Sequence, residues 1–275
     1  MRRLFNPILI LVLICLPMSA CGISKKVPDV ERKSDTAVRI EKSDSSFAVV
    51  KDKGTVIVGV NPQSFPFCFV DRSGAVTGFD VDMATAAAQT MGVEIEFKKI
   101  NADNLIDELN SEKVDLAWGG IFINSEFEGE VLYSKSYVSD WETFFTLRQS
   151  PIEKAKDLQG KIIAVENASN EYIDSITDNK NIKIYKSNSA AVSDLEKGKI
   201  DAVFQGYAEG KYHTKNNECI FKILNDTFYE KEYAAAVRFG DRALMSEIDN
   251  AIQNIIDNGA AKELSEKWFG DDITK

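Results

Sequence analysis

The fold is decided where "TVIVGV" (residues 55–60), "FDVDMATAAAQTMG" (79–92) and "VEIEFKKI" (93–100) follow one another along the chain. The first segment is a short run of mostly β-branched apolar residues, which is typical of a buried strand. The second has the periodicity of a helix, and the third again favours a strand. Strand, helix and strand in this order predict an α/β fold with a mainly parallel sheet.

The helix predicted at 79–92 has an apolar face whose members recur at a spacing of four: Met83, Ala87 and Met91. Asp80 can accept the free amide hydrogens of the first turn, so we interpret Asp80 and Asp82 as helix-start residues rather than ligand groups. Gly92 can adopt the left-handed conformation that closes a helix. The helix therefore has both a predicted start and a predicted end.

The same alternation continues along the rest of the chain. Further strands are expected at 114–120, 141–148, 161–169, 182–187 and 201–206. Helices are expected around 105–109, at 189–198, at 208–216 and between 242 and 268. Two α/β units fit a chain of 275 residues.

The first twenty residues have the pattern of an export signal. Arg2 and Arg3 precede an apolar run at 8–16, which is too short for a membrane span of about 20 residues. The following "MSAC" resembles the cleavage box of bacterial lipoproteins. We expect residues 1–20 to be removed and Cys21 to carry the lipid anchor, a diacylglyceryl group and palmitate. The alternative is an ordinary secretory cleavage.

Composition limits the partners and the chemistry of the chain. The net charge of −10 argues against nucleic acid, and against an anionic membrane face except through the anchor. Residues 21–46 are polar, charged and aperiodic, and are expected to form a flexible tether. An exported compartment permits a disulfide between Cys68 and Cys219, but we expect two buried free thiols.

The chain has none of the local signatures that mark common enzyme classes. Its single histidine, His213, lies in a polar segment between Lys211 and Lys215 and is expected to be a solvated surface residue. With one histidine a zinc site is implausible, and no cofactor or metal is expected. Carboxylates are plentiful, but the sequence does not show which of them converge.

Seven short motifs occur along the body in a fixed order: "FPF" (65–67), "GFDVDM" (78–83), "EKVDLAWGG" (112–120), "YSKSY" (133–137), "DLQGKIIAV" (157–165), "GKIDAVF" (198–204) and "EKWFG" (266–270). In this order and spacing, behind a lipoprotein-like leader, they resemble the extracellular solute-binding proteins of polar amino-acid ABC transporters, family 3. The resemblance covers about residues 55–270.

This resemblance implies an α/β, two-lobed periplasmic-binding-protein fold of type II, the Venus-flytrap fold. Each lobe is a mainly parallel sheet flanked by helices, and two crossover strands join the lobes. Lobe 1 is expected at 47–148 and 233–275, and lobe 2 at 149–232. A small solute would bind between the lobes and close them, since a ligand shifts this balance only by contacting both in the closed state.

The resemblance also implies partners and a location. They are an ABC permease and its ATPase, reached by a monomeric protein that the lipid anchor at Cys21 holds on the extracytoplasmic face of the cell membrane. Parallel sheets bind ligands at the carboxyl ends of their strands. The corresponding loops are 61–67, 119–127, 166–170 and 205–207.

The residues that hold a zwitterion in the family are replaced in this chain. The family's arginine for the ligand's α-carboxylate, three residues after a threonine, aligns with Phe127, and that threonine aligns with Asn124. The family's aspartate for the α-ammonium aligns with Gly206. A hydroxyl residue aligns with Phe122, and an aromatic platform aligns with Ser64.

A buried carboxylate without a partner costs several kcal/mol, so an ordinary amino acid is not the expected ligand. We expect a more apolar and aromatic cleft that takes an uncharged, aromatic or amine-bearing solute. The aromatic contacts would be Phe65, Phe67, Phe122 and Phe127. The remaining candidate contacts are Asn61, Ser64, Gly119, Gly120, Ser169 and Gly206. Phenylalanines that fill the cleft and leave no site are the alternative.

Two other functions remain open. One is a sensory or scaffold module that kept the fold after losing uptake. The other is a dehydratase or lyase, which would need a carboxylate of raised pKa facing the cleft. Glu166 is the candidate for that carboxylate, and the non-enzymatic receptor is the leading interpretation.

Overall fold

The structure is a computed structural model that describes residues 44–166, 173, 181–215, 217 and 219–275. Its helices are α1 (Ser46–Lys53), α2 (Phe79–Met91), α3 (Leu105–Asn110), α4 (Asn188–Glu196), α5 (Tyr207–Thr214), α6 (Arg242–Asp257) and α7 (Ala260–Phe269). Short 3₁₀ helices lie at Ala102–Asn104, Ser125–Phe127 and Ala155–Leu158. The expected leader, the anchor at Cys21 and the contact at Ser169 lie outside the described residues.

Fourteen strands are present in the described residues: β1 (Thr55–Val60), β2 (Gln63–Ser64), β3 (Cys68–Val70), β4 (Val76–Thr77), β5 (Glu94–Lys99), β6 (Leu116–Ala117), β7 (Val131–Tyr133), β8 (Val138–Leu147), β9 (Ile163–Glu166), β10 (Ile182–Tyr185), β11 (Ala202–Gly206), β12 (Phe221–Ile223), β13 (Phe228–Tyr233) and β14 (Ala236–Arg238). Every predicted strand and helix is present in the described residues, but helix α1 and seven strands were not predicted: β2, β3, β4, β7, β12, β13 and β14.

The strands form two large sheets. The first has the order β5-β1-β6-β14-β7, with β1 parallel to β5 and β6. The second has the order β10-β9-β11-β8-β12, with β13 also paired to β8. In it β9 is parallel to β10 and β11, and β8 is antiparallel to β11. A small sheet of β2, β3 and β4 follows β1. The lobe limits at residues 148 and 233 stay a prediction, and by strand pairing β8 belongs to the second sheet.

Helix α2 shows how local sequence and packing combine. The apolar face predicted for α2 is buried, and Gly92 ends the helix in the left-handed conformation with φ 68°. Asp80 and Asp82 lie in the first turn of α2, as predicted, but Asp80 does not accept the free amides of that turn, because Gly78 is the N-cap and no described side chain caps the helix. Asp80 is fully buried. Its carboxylate accepts hydrogen bonds from the Gly120 amide at 2.6 Å and the Tyr137 hydroxyl at 2.7 Å. It joins α2 to the loop after β6 and to the start of β8.

The apolar residues on both sides of the first sheet form its core, with Trp118, Phe79 and Tyr137 among the largest fully buried side chains. None of the helices in the described ranges combines the length and apolar composition needed to cross a membrane. Cys68 and Cys219 are both free. Cys68 is buried, but Cys219 is exposed in a turn, so the expectation of two buried thiols is wrong for Cys219.

Candidate functional site

A cavity of about 660 Å³ lies between loops of the two large sheets. This volume is in the range of small-molecule sites. The cavity is lined by residues from the four segments in which ligand-binding loops were expected, at the carboxyl ends of β1, β6, β9 and β11. The lining residues are Phe65, Pro66, Phe67, Phe122, Asn124, Glu126, Asp140, Glu142, Glu166, Asn188, Phe204, Gln205, Gly206, Glu209, Tyr229, Glu230, Lys231 and Tyr233.

Aromatic rings form the side of the cavity nearest the first sheet. Phe67 is buried and stacks on Tyr233 with ring centroids 4.2 Å apart. Phe122 is 41% exposed, and the Lys231 ammonium lies 5.9 Å from its ring centroid. Phe65 packs edge-on against Tyr212 at 4.7 Å. The structure thus brings three of the four predicted phenylalanines to the cavity wall.

Four other predicted contacts support the loops and do not line the cavity in the described part of the chain. Gly120 has φ +71°, and a β-carbon there would lie 2.1 Å from Cβ of Ser64. Gly119 fits closely against Val60, and the Asn61 side chain accepts a hydrogen bond from the Gln63 amide at 3.2 Å. The close approach of Gly120 to Ser64 requires glycine. As ligand contacts, these four residues stay predictions.

The loop after β6 turns Phe127 towards the core and the polar residues Asn124 and Glu126 towards the cavity. Phe127 packs against the cluster that contains Ile100, Leu105 and Val131, and is not among the cavity-lining residues of the described chain. Asn124 and Glu126 line the cavity instead. Asn124 Oδ1 accepts the Glu126 amide at 3.0 Å, which fixes this turn. At the place where an anion clamp was expected, the loop therefore presents a carboxylate.

On the second sheet, Asp140 of β8 lies beside Gly206 of β11. The Asp140 side chain is 4% exposed, and its Oδ1 accepts the Ala208 amide at 2.9 Å. Burial raises the pKa of Asp140 to about 7, and the charge of Glu142 acts in the same direction. Glu142 is itself paired with Lys231 at 2.6 Å. Gly206 aligns with the family's aspartate and has no side chain, but the carboxylate of Asp140 lies beside it.

Two further carboxylates lie at the ends of neighbouring elements. Glu166 ends β9 and Glu209 lies in α5, and both line the cavity. Burial raises the pKa of Glu166, with the charge of Glu209 as the second cause. Asn188 connects the two carboxylates. Its backbone N–H donates to Glu166, and its side-chain Nδ2 donates to Glu209 Oε2 at 2.7 Å. Glu166 faces the cavity, as the lyase alternative required.

Burial leaves several amide atoms at the cavity without partners in the described structure. They are Oδ1 of Asn188 and both Oε1 and Nε2 of Gln205. Asn188 is 8% exposed and Gln205 is 2% exposed. Buried polar atoms are rarely left unpaired in native proteins. These atoms are therefore candidate contacts for a polar solute.

The expectation of a mostly apolar cleft is only half right. Among the described residues, the wall carries six carboxylates and one lysine: Glu126, Asp140, Glu142, Glu166, Glu209 and Glu230 against Lys231. Sequence reasoning named only Glu166 of this set, because the members lie on β8, β9, α5, β13 and a loop, and only folding brings them together. The one available signal was that Glu166 follows an apolar strand.

His213 is also placed differently from its prediction. Its side chain is 15% exposed, and its ring lies 5.8 Å from that of Phe65 and 6.1 Å from that of Phe145. The polar segment around it is one face of α5, and the histidine is on the opposite, covered face. His213 is therefore a packed aromatic residue rather than a solvated one.

The arginines of the described chain lie away from the cavity wall. Arg238 donates to the carbonyl oxygens of Leu109 and Val114, both at 2.9 Å. Arg242 lies over the ring of Phe239 at 5.7 Å. Between Arg148 and Arg238 the sequence contains no arginine. The described wall thus holds no guanidinium to receive a carboxylate.

Comparison with known proteins agrees with the geometry. Residues 56–271 match the family model "Bacterial extracellular solute-binding proteins, family 3". The L-cystine-binding protein TcyJ of Escherichia coli is 28% identical over 82% of this chain and 86% of its own length. The arginine-binding periplasmic protein of Mannheimia haemolytica is 26% identical over 81% and 94%.

Solved structures give the same result. An ancestral cationic amino acid solute-binding protein aligns with a TM-score of 0.74 and 26% identity, over 82% of this chain and all of that one. The structural neighbours have the type II periplasmic-binding-protein fold, which confirms the predicted architecture. The chain therefore belongs to the bacterial extracellular solute-binding proteins of family 3.

Proposed function

We propose that this protein is the receptor of an amino-acid-type ABC importer and that its cleft binds a cationic, amine-bearing solute without a free carboxylate. The solute would lie between the two sheets and be delivered to the permease and its ATPase. The proposal keeps the transport role of the family and changes the chemistry of the cargo.

One observation carries the proposal: in the described wall, carboxylates outnumber cations by six to one, and one of them, Glu126, lies in the loop where the resemblance implies an anion clamp. Opposite charges attract strongly in a cleft of low dielectric, and like charges repel. A solute carboxylate placed near Glu126 would be unpaired and repelled. An ammonium group would instead find several acceptors.

The relatives support the proposal that the solute carries a positive charge. One is described as arginine-binding and another as binding cationic amino acids. The arrangement of Asp140, Glu166 and Glu209 around the cavity suits the same kind of positive group. This chain differs from the family pattern at the carboxylate: Phe127 aligns with the arginine that would hold the α-carboxylate of an amino-acid solute.

The proposal includes a lipid anchor at Cys21 and an extracytoplasmic location. It is supported by the leader sequence with its lipoprotein-like box and by membership of an extracellular family. Two acyl chains, at about 0.8 kcal/mol per buried methylene, hold a protein stably on a membrane. Metabolic labelling with a palmitate analogue, compared between the wild type and Cys21→Ala, tests this part. Equal labelling of both would contradict it.

A lyase is the second candidate, because Glu166 faces the cavity and its pKa is raised. The same two facts follow from a site that holds an ammonium beside clustered carboxylates, so we favour binding without catalysis. Proton NMR of 1,5-diaminopentane kept overnight with the protein distinguishes the two. New product signals would favour the enzyme.

The test of the binding proposal uses two ligands that differ only in a carboxylate, L-lysine and 1,5-diaminopentane. Thermal shift and titration calorimetry of the purified protein should show binding of the diamine and much weaker binding of lysine. A binder at 100 times its Kd stabilises the folded protein by about 2.7 kcal/mol. Lysine binding as tightly as the diamine would overturn the proposal.

A further inference from the structure

Four of the six carboxylates in the described cavity wall form two groups near strand β11. Asp140 and Glu142 lie on β8 and form the first group. Glu166, at the end of β9, and Glu209, in α5, form the second. Since β11 pairs with β9 on one side and β8 on the other, the groups are separated by two strand spacings, roughly 10 Å.

The two groups differ in their internal cations. Lys231 pairs with Glu142 at 2.6 Å and so neutralises part of the first group, leaving Asp140. In the second group, neither Glu166 nor Glu209 pairs with a lysine or arginine of the described chain. The nearest basic atom, His213 Nε2, lies 3.9 Å from Glu209 Oε1 and is charged only when protonated. Each group is thus left with carboxylate charge that a solute can neutralise.

In the described chain, two residues that line the same cavity carry unpartnered side-chain amide atoms. Gln205, which is 2% exposed, precedes Gly206 on β11 and has no hydrogen bond to either side-chain amide atom. Asn188, which is 8% exposed, holds both second-group carboxylates and has an unpaired Oδ1. A buried acceptor without a hydrogen bond destabilises the folded protein. Ammonium groups carry only donors, so they match the carboxylates of both groups.

The aromatic part of the cavity wall suits methylene groups. The rings of Phe65, Phe67, Phe122, Phe204 and Tyr233 line it beside the two polar groups. A solute with a charge at each end and an apolar centre would place each part against matching surface. A metal ion would use the carboxylates but leave the aromatic wall without a role.

Building on the proposed function, we infer that the solute is a linear diamine or longer polyamine, with one ammonium at Asp140 and a second between Glu166 and Glu209. Both ammonium groups lie on the second sheet, and the methylene chain passes under the aromatic rings of the first. The inference names the class of cargo. It adds a second cation site at Glu166 and Glu209, for which the resemblance implies no role in binding an ammonium group.

The test compares 1,5-diaminopentane with 1-aminopentane, which has the same carbon chain and one ammonium fewer. Calorimetry on the wild-type protein should give a Kd at least tenfold lower for the diamine. The double variant Glu166→Gln/Glu209→Gln should weaken the diamine to the level of the monoamine and leave the monoamine unchanged. Glu196→Gln, at an exposed position at the end of α4, removes one charge near the surface and should change neither ligand.

The outcomes separate this inference from the proposed function. If 1-aminopentane binds as tightly as the diamine in the wild type, the second ammonium site is wrong while an amine receptor stands. If neither amine binds and L-lysine does, the proposed function itself fails. The ligand comparison needs no variant, so it holds even if the double variant does not fold. In that case Glu166→Gln alone should weaken the diamine selectively.

Discussion

The Asp140 carboxylate lies 2.9 Å from the point where a β-carbon on Gly206 would stand. Gly206 pairs with Glu142 in the β8–β11 register, and the carboxylate of Asp140, two residues before Glu142 on β8, occupies space that a side chain at 206 would need. The absence of a side chain at Gly206 is thus matched by a carboxylate from the neighbouring strand. This relationship makes Asp140 the first residue to test.

Amine binding should depend on pH through Asp140. Burial raises the pKa of this carboxyl to about 7, and an ammonium ligand requires the ionised form. Protonation therefore competes with the ligand below pH 7, and affinity for 1,5-diaminopentane should rise up to tenfold per unit between pH 5 and 7 and level off above. Calorimetry across pH 5–8.5 measures this.

The variant Asp140→Asn should bind 1,5-diaminopentane more weakly than the wild type at pH 8. The loss of binding free energy should be about 1.5–3 kcal/mol, the usual contribution of a hydrogen bond to a charged group. The pH dependence of binding in this variant should be much flatter. Asp194→Asn is the control, because Asp194 pairs with Lys199 and is not part of the cavity wall. An unchanged pH profile in Asp140→Asn would exclude Asp140 as the binding carboxylate.

Moving the carboxylate from one strand to the other should partly restore binding. Gly206→Asp alone places a second carboxylate against Asp140 and should lower the melting temperature by a few degrees. Asp140→Ala alone should lose most of the amine affinity. The double variant Asp140→Ala/Gly206→Asp should recover part of both losses, and a double-mutant cycle from melts and calorimetry quantifies the coupling. Strictly additive losses would show that the two positions act independently.

Asp80 should make stability fall as pH rises towards neutrality. Burial raises its pKa from 3.8 to about 7, so between these values the folded state binds more protons than the unfolded state. The free energy of unfolding then decreases through this window. Asp80→Asn keeps an acceptor for Gly120 and removes the titration, so it should gain stability relative to the wild type as pH rises from 5 to 8.

Thermal melts in that range check this prediction. Asp71→Asn serves as the control, since hydrogen bonds from Ser73 and Ala75 lower the pKa of Asp71 and its titration lies below the window. A constant difference in melting temperature between Asp80→Asn and the wild type would show that Asp80 stays ionised throughout.

Gly120→Ala should cost more stability than Gly74→Ala. Both glycines have positive φ, 71° and 89°, but an added β-carbon meets Ser64 at Gly120 and nothing within 4 Å at Gly74. Positive φ costs an alanine about 1–3 kcal/mol at each position, and the steric contact adds to it only at Gly120. Chemical denaturation gives both values. Equal losses would mean that Ser64 moves aside freely.

The sequence by itself determined the fold. Buried strands such as Thr55–Val60 and the helix closed by Gly92 are specified by neighbours a few residues apart, because apolar periodicity and glycine conformation act locally. The family resemblance predicted the architecture from equally local features, because the motifs that carry it lie at turns and strand ends. It also located the loops that surround the cavity.

Only the tertiary structure decided the character of the site. Asp140, Glu166 and Glu209 are far apart along the chain, and nothing local distinguishes Asp140 and Glu209 from the other acidic residues; only Glu166 has a local signal, its place after an apolar run. Phe127 could be predicted as a replacement but not as a residue that turns into the core and leaves Glu126 at the wall. Charge acts through space rather than along the chain, so the sign of the cleft depends on which side chains the two sheets bring together.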